Sequence, residues 1–121
     1  MNIGSFLYRG HAHYGVFNGD TVAAASSALI AQYPTLRDLL DAEKSGALAD
    51  AANLSAEVPT AEITFQPPVP NPRKIICVGM NYPKPYPVDG IAPPNPENII
   101  LFGKEREALV GHEAGRWHRP A

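Results

Sequence analysis

The sequence predicts an α+β protein that is mostly β, with a small N-terminal β domain carrying a short helix and then the first strands of a second domain. Runs rich in β-branched and aromatic residues recur at strand length, whereas a single leucine stripe has helical spacing. Eleven of the thirteen prolines lie from Pro67 onward. These shifts in composition divide the chain into a first domain at 1–65, a proline-rich linker at 66–73 and a second domain at 74–121.

The composition limits which binding partners and which cellular compartment are expected. The 121 residues carry ten basic and twelve acidic side chains, a formal net charge of −2. This balance gives no reason to expect nucleic acid or an anionic membrane surface as a partner. The longest apolar stretch is too short to span a bilayer, and the single cysteine forms no internal disulfide. The sequence therefore predicts a cytoplasmic protein without a membrane partner.

The first 25 residues predict a β meander. Residues 3–8 and 14–17 favour strands, and a returning strand is predicted at 21–24. The dipeptide Asn18-Gly19 readily takes the positive φ angles of a tight hairpin turn.

Two histidines, His11 and His13, stand between the first two predicted strands. Their surroundings are typical of a polar turn or a strand end. Side chains two apart share one face of a strand, so the pair could also bind a metal if a third ligand lay nearby.

A helix is predicted for residues 36–45. Thr35 and Asp38 have the spacing of a capping box, and Gly46 stands where a C-cap glycine is common. The leucines between them lie on one helical face and are expected in the core. The alanine-rich residues 47–54 predict a further helical turn or two.

The linker and the strand after it have contrasting patterns. QPPVPNPR, residues 66–73, predicts a stiff, extended connector that spaces two units, because proline donates no backbone hydrogen bond. Its prolines also match a ligand for aromatic-lined grooves. Residues 74–79 predict a strand covered on both faces, in which Cys77 is buried. No glycine-rich turn follows it, so a dinucleotide-binding loop is not expected.

The predicted strand leads into NYPKPYPVDG, residues 81–90, whose prolines hold the chain out of a sheet. Asn81, Tyr82, Lys84 and Asp89 are thereby displayed from an extended loop at a strand end, where binding sites are commonly built. A loop whose tyrosines simply cover the sheet is the alternative that this pattern leaves open.

Several of these motifs together resemble the fumarylacetoacetate hydrolase family. PPVPNPRKIICVGMNY looks like the start of the family's catalytic domain, in which a proline linker, a buried strand and a Gly-x-Asn-Tyr turn follow a small N-terminal β domain. ILFGKEREALVGHEA is similar to the segment with a Phe-x-Lys strand and a Val-Gly-His turn. The resemblance implies that 74–121 is the incomplete start of a mixed β-roll catalytic domain.

The resemblance also implies chemistry. Family members act on 2-oxo acids and related dicarbonyl compounds, and they hold Mg²⁺ or Mn²⁺, which stabilises an enolate as a Lewis acid. Carried over to this sequence, Asn81, Tyr82 and His112 are candidates for binding a small-molecule 2-oxo acid, and Lys104 is a catalytic candidate. Many members form dimers, so a homodimer is the partner that the resemblance implies.

This sequence departs from the family's pattern at two positions of the proline loop. Pro85 and Val88 stand where many members carry a histidine and a glutamate that act as an acid/base pair. Lys84 and Asp89 are the nearby titratable groups and so become catalytic candidates, with solvated surface charges as the alternative.

The family's metal ligands are a second departure, since they come from a Glu-x-Glu strand and an aspartate well beyond the Val-Gly-His turn. The chain stops at Ala121, so we expect no metal ligands in it and interpret it as a chain cut short. Glu105 and Glu107 have the Glu-x-Glu spelling but precede that turn.

Two functions from different classes follow. The first is a divalent-metal-dependent hydrolase or isomerase of 2-oxo acids or acylpyruvates, of which this chain is an inactive fragment. The second is a non-catalytic binding or assembly module that pairs with another chain, for example through the open edge of residues 75–78.

Overall fold

In the computed structural model the described residues are 1–79 and 98–114, and they divide into two units. The first unit is Met1–Pro72 together with 109–114. The second unit is formed by 73–79 and 98–108. The described chain is mostly β with two short α-helices, which confirms the predicted fold class.

The first unit is built on a five-stranded antiparallel sheet with the strand order β4-β3-β2-β1-β5. The first three strands form the predicted meander, while β4 and β5 lie in stretches for which no strand was predicted. The five strands are β1 (Asn2–Tyr8), β2 (His11–Asn18), β3 (Thr21–Ala25), β4 (Leu54–Pro59) and β5 (Ile63–Phe65).

Two-residue turns join the first three strands, and both differ in position from the prediction. Arg9 and Gly10 have φ of 50° and 79°, the positive pair of a type I′ turn, so His11 and His13 belong to β2. In the next hairpin Asn18 pairs with Thr21, and Gly19-Asp20 is the turn, with Gly19 at φ 61°. The predicted turn Asn18-Gly19 was therefore wrong by one residue.

The helices are α1 (Ser27–Gln32), which was not predicted, and α2 (Leu36–Asp41). The capping box is confirmed: Asp38 N donates to Thr35 Oγ1, and Thr35 N donates to Asp38 Oδ2 at 3.0 Å. The predicted end of α2 near Gly46 was wrong.

A Schellman motif ends α2 four residues earlier than predicted. Lys44 N donates to Leu39 O at 3.0 Å and Glu43 N donates to Leu40 O at 2.9 Å. Glu43 takes the left-handed position at φ 56°, which is usually occupied by glycine. The chain continues through short 3₁₀ turns at Ser45–Ala49 and Ala51–Asn53. A further helical turn or two was predicted in this stretch, at residues 47–54.

The core of the first unit lies between one sheet face and the helices. Tyr14 of β2 and Leu36 and Leu39 of α2 are buried there, which confirms the predicted core role for these two leucines. The prediction was wrong for Leu40, which is 40% exposed because it lies at the edge of the buried helix face. The buried members are Tyr14, Ala25, Leu29, Leu36, Leu39 and Leu48.

The proline-rich segment is attached to this core face. Val69 packs against the core cluster, and the buried Ser5 hydroxyl donates to Pro68 O at 2.7 Å. Arg37 Nη1 donates to Asn71 O at 2.8 Å. Residues 66–72, the proline strap, thus form part of the first unit.

The second unit contains a two-stranded antiparallel ribbon of β6 (Ile76–Gly79) and β7 (Ile100–Gly103). Ile76 is 63% exposed and Val78 is 55% exposed, so the prediction of a strand covered on both faces was wrong for the described chain. Cys77 is half-buried rather than buried. Two strands alone bury little of each other's side chains, because both faces of the ribbon stay open.

Candidate functional site

Two of the six predicted site residues lie in the described chain. His112 belongs to the first unit and Lys104 to the second. Asn81, Tyr82, Lys84 and Asp89 lie outside the described residues, and so do Pro85 and Val88. The roles assigned to all six remain predictions.

Lys104 follows directly on the end of β7. Its backbone N donates to Ile75 O at 3.1 Å, which extends the β6–β7 pairing by one hydrogen bond. The side chain is exposed. An exposed ammonium on a backbone tied into a strand pair is a compact positive charge that can pair with a carboxylate.

His112 lies in the turn Val110–Gly111–His112, called the VGH turn below. Ala114 N donates to Gly111 O at 3.2 Å, and Glu113 has a φ of 59°. The His112 side chain is 72% exposed, and its Nε2 lies 3.7 Å from Glu113 Oε1. An exposed contact of this kind is worth little free energy even as an ion pair, so it leaves the imidazole available to another partner.

The VGH turn contacts the end of β5 through its backbone. A β-carbon on Gly111 would collide with the Phe65 carbonyl oxygen and would lie 2.6 Å from the Phe65 carbonyl carbon and 3.0 Å from Gln66 Cα. Real β-carbons do not approach a backbone this closely. Glycine is therefore required at 111 for the turn to lie against β5.

A row of aromatic rings continues from His112 across the sheet face opposite the core. The His112 and Phe65 ring centroids are 5.1 Å apart with the planes at 86°, and Phe65 stacks on Phe17 at 5.6 Å. Phe17 contacts Phe6 at 5.8 Å, and Phe6 stacks on His13 at 5.7 Å. Edge and offset ring contacts of this spacing are favourable.

Sequence reasoning missed this aromatic row. The period of two in β1 and β2 places Phe6, His13 and Phe17 on one sheet face, and that signal was available in the sequence. No local signal could have found Phe65, because β5 is only three residues long and pairs with β1, which precedes it by more than fifty residues.

His13 is the most perturbed histidine of the described chain. Burial lowers the pKa of His13 from its ordinary value of 6.5, and the neighbouring His11 lowers it further. Its Nδ1 is buried, and no described residue offers it a hydrogen bond. Neutral imidazole is favoured in this environment.

The described residues contain no group of three His, Cys, Asp or Glu side chains that could hold a metal ion. His11 and His13 lie on one face of β2, as their spacing required, without a third ligand. Glu105 precedes the 3₁₀ turn Arg106–Ala108 and Glu107 lies within it, so they do not share a strand face.

The helices of the described residues are all too short or too polar to cross a bilayer.

Comparison with known proteins finds several that are similar in sequence to this chain. The bovine mitochondrial oxaloacetate tautomerase FAHD2A is 41% identical over 54 residues, which are 45% of this chain and 17% of that protein. The human mitochondrial oxaloacetate tautomerase FAHD2A is 32% identical over 91 residues, 75% of this chain and 21% of that protein. An uncharacterized protein of Archaeoglobus fulgidus is 44% identical over 57 residues, 47% of this chain and 22% of that protein.

The chain thus spans about a fifth of the length of the curated relatives that it matches. No family model matches it, and no solved structure is significantly similar. The similarity to the FAHD2 proteins nevertheless agrees with the family that the sequence motifs indicated, and on these relatives the chain belongs to the fumarylacetoacetate hydrolase family.

Proposed function

We propose that this chain contributes the N-terminal unit and part of the substrate site of an enzyme that acts on 2-oxo acids, with keto–enol tautomerisation as the reaction. The observation that carries the proposal is the similarity to proteins named oxaloacetate tautomerase. Hydrolysis of a C–C bond in an acylpyruvate, the other chemistry that the family implies, is the related alternative.

Tautomerisation moves one proton from the carbon next to the oxo group onto the oxo oxygen, and the overall composition stays unchanged. The residues must therefore bind the carboxylate and exchange a proton. His112 presents an exposed imidazole that can donate a hydrogen bond to a carboxylate or an oxo group. Lys104 of the second unit presents an exposed positive charge that can pair with an anionic group, and Lys84 or Asp89 is the proposed group that exchanges the proton.

A divalent ion, Mg²⁺ or Mn²⁺, belongs to the chemistry that the family implies. Such ions need several oxygen ligands, and no group of three candidate ligands exists among residues 1–79 and 98–114. The described residues alone therefore do not form a site for such an ion.

Ligand binding by the purified 121-residue chain tests the substrate site. Oxalate, a stable analogue of a 2-oxo acid, is titrated into the chain at millimolar concentration while the imidazole resonances of His112 are followed by NMR. We expect saturable changes at His112 that acetate does not produce, and in H112Q the backbone amides of the VGH turn should no longer respond to oxalate. The H11Q variant is the matched control, because His11 lies on the sheet and outside the VGH turn. Unchanged His112 resonances would contradict the proposal.

Catalysis by the chain alone is a separate question. Since the chain spans about a fifth of its relatives, we propose that it has no tautomerase or acylpyruvate hydrolase activity by itself. The measurement follows the ultraviolet absorbance of the enol with Mg²⁺ or Mn²⁺ present. Turnover that depends on the added metal would show that the chain is a complete catalyst.

The apolar ribbon of the second unit favours assembly as a second candidate function. Besides Ile76 and Val78, the exposed apolar side chains of 98–108 include Ile99, Ile100, Leu101 and Phe102. Such side chains mark a surface that pairs with other protein. Size-exclusion chromatography with light scattering would show a discrete homodimer if the chain is an assembly module, and a monomer of 13.0 kDa would argue against it.

The compartment remains a prediction. The single cysteine favours the cytoplasm, whereas the bovine and human relatives are named as mitochondrial proteins. Fractionation of cells that express the chain would distinguish the two.

A further inference from the structure

We propose that Phe65, at the end of β5, is the positioning residue for His112, so that the N-terminal sheet itself presents the substrate-binding imidazole. The part of this inference that concerns substrate rests on the proposed function. The part that concerns geometry rests on contacts between the VGH turn and β5.

The first contact fixes the backbone of the turn. Gly111 lies so close to the Phe65 carbonyl that no other residue can take its place without moving one of the two segments. His112 follows Gly111 directly, so its Cα is held next to β5. Close packing over a single glycine restrains the turn in position, since the contact has no flexible side chain that could yield.

The second contact orients the imidazole. The Phe65 and His112 rings meet at 86° with centroids 5.1 Å apart, which restricts the rotation of the imidazole about its side-chain bonds. Because the His112 side chain remains 72% exposed, the contact covers one part of the ring and leaves the rest open to a ligand. An imidazole held on one side and free on the other is a preorganised binding group.

Phe65 can orient another ring because the sheet fixes its own. It pairs with Phe6 in the β1–β5 register, and Gln66 N donates to Ser5 O at 3.1 Å directly after it. Its ring also stacks on Phe17 at 21° between planes. The position of His112 is therefore set by three strands of the first unit.

A purely structural role for Phe65 would stabilise the sheet without orienting His112, and the two roles are separable by NMR. In the wild-type 121-residue chain we expect nuclear Overhauser effects between the imidazole protons of His112 and the ring protons of Phe65, with the His112 resonances assigned by H112Q.

The variants F65L and F65Y separate ring geometry from apolar bulk. In F65L the His112 resonances should move toward those of a solvated histidine while the core resonances of Leu39 stay in place. F65Y should restore the wild-type His112 pattern, since its ring can make the same contact. F102L removes a phenylalanine from the second unit and should leave His112 unchanged.

Gly111→Ala provides an independent test if F65L fails to fold. The added methyl group must displace the VGH turn from Phe65, so the Overhauser effects should vanish although the aromatic side chain is intact. His112 resonances that stay at their wild-type positions in folded F65L or in G111A would overturn the positioning role.

Oxalate binding by the same variants separates this inference from the proposed function. If His112 binds substrate and Phe65 orients it, F65L should weaken oxalate binding about threefold or more, as expected when the binding orientation is populated about a third of the time. F65Y and F102L should bind as wild type. Equal binding by F65L would overturn the positioning role, whereas a wild-type chain without any response at His112 would overturn the substrate role and leave only the packing.

Discussion

Two valines of similar strands show how the two units differ. Val22 in β3 is 0% exposed, whereas Val78 in β6 is 55% exposed. Both occupy short apolar strands in antiparallel pairs. Val22 has strands on both sides of it, while Val78 has one partner strand in the described chain. Burial is therefore a property of the sheet around a residue, and the residue type alone does not decide it.

The difference also concerns what the apolar side chains can contribute to stability. In the first unit the helices, the sheet and the proline strap close around one cluster. In the second unit the ribbon leaves most of its large side chains in solvent. Since burial of apolar area is the main stabilising term, the first unit should carry nearly all of the folding free energy of the described chain.

Matched leucine truncations in the two units test this contrast and should give the largest effect. Leu39 is 0% exposed and Leu101 is 59% exposed. We expect Leu39→Ala to lower the free energy of unfolding by about 2–5 kcal/mol, because it leaves a cavity in the core. Leu101→Ala should change it by less than about 0.5 kcal/mol. Urea unfolding followed by circular dichroism measures both.

If Leu39→Ala abolishes folding, the milder Leu39→Val should still show the contrast. Equal losses for the leucine variants of the two units would mean that the ribbon is buried in solution, and the comparison of units would fail.

A buried polar contact should give the next largest effect within the first unit. Tyr14 donates from its hydroxyl to Tyr33 O at 2.7 Å. Tyr14→Phe removes this donor and should cost about 1 kcal/mol in urea unfolding. Tyr33→Phe keeps the backbone acceptor and serves as the control. A loss in Tyr33→Phe as large as that in Tyr14→Phe would show that the effect does not come from the hydrogen bond of the Tyr14 hydroxyl.

A substitution at the end of α2 should change the free energy of unfolding by less, and should raise it instead of lowering it. Glu43 occupies a left-handed position that favours glycine. Glu43→Gly should therefore raise the free energy of unfolding by about 0.5–1 kcal/mol, the relief of backbone strain less the added chain entropy of the unfolded state. Glu43→Ala retains the strain and should give no such gain. A stabilising Ala variant would point to charge rather than to conformation.

The smallest expected effect is a dependence of the stability of the first unit on pH, caused by the titration of His13. Its pKa is lowered by burial and by His11, so the unfolded state binds more protons than the folded state between the lowered value and 6.5. The contribution of His13 to the free energy of unfolding is complete above pH 6.5 and is lost as the pH falls from 6.5 through the lowered pKa. Urea midpoints at about pH 7.5 and about pH 5.5 should differ in the wild type and less in His13→Gln.

His11→Gln is the control for that titration. It removes only the second cause of the shift, so most of the pH dependence should remain. A dependence that survives in His13→Gln would assign the titration to another group.

The sequence predicted the parts of the fold that depend on neighbouring residues. The capping box of Thr35 and Asp38 and the strands of the meander follow from local patterns. β4 and β5 could not be predicted in this way, because their partners β3 and β1 lie far away in the chain. The end of α2 was missed because glutamate accepts the left-handed position there, against its intrinsic preference.

The residues of the candidate site were chosen from sequence motifs and their roles remain predictions, whereas the geometry of the VGH turn could not be predicted. The VGH turn was recognised from its three residues, but nothing in them indicates that Gly111 lies against Phe65. That contact joins two segments separated by more than forty residues. It depends on the completed sheet, so a reading of local spacing could not reveal it.

The proline strap has a consequence for where the polypeptide can be cut. A protein ending at Phe65 would lose Val69 from the core and would leave the buried Ser5 hydroxyl without its acceptor, Pro68 O. One ending at Pro72 would keep both, together with the bond from Arg37 to Asn71 O. Peptide bonds that are packed and hydrogen-bonded in this way resist proteases, so limited digestion should spare the strap and release a fragment that extends through it.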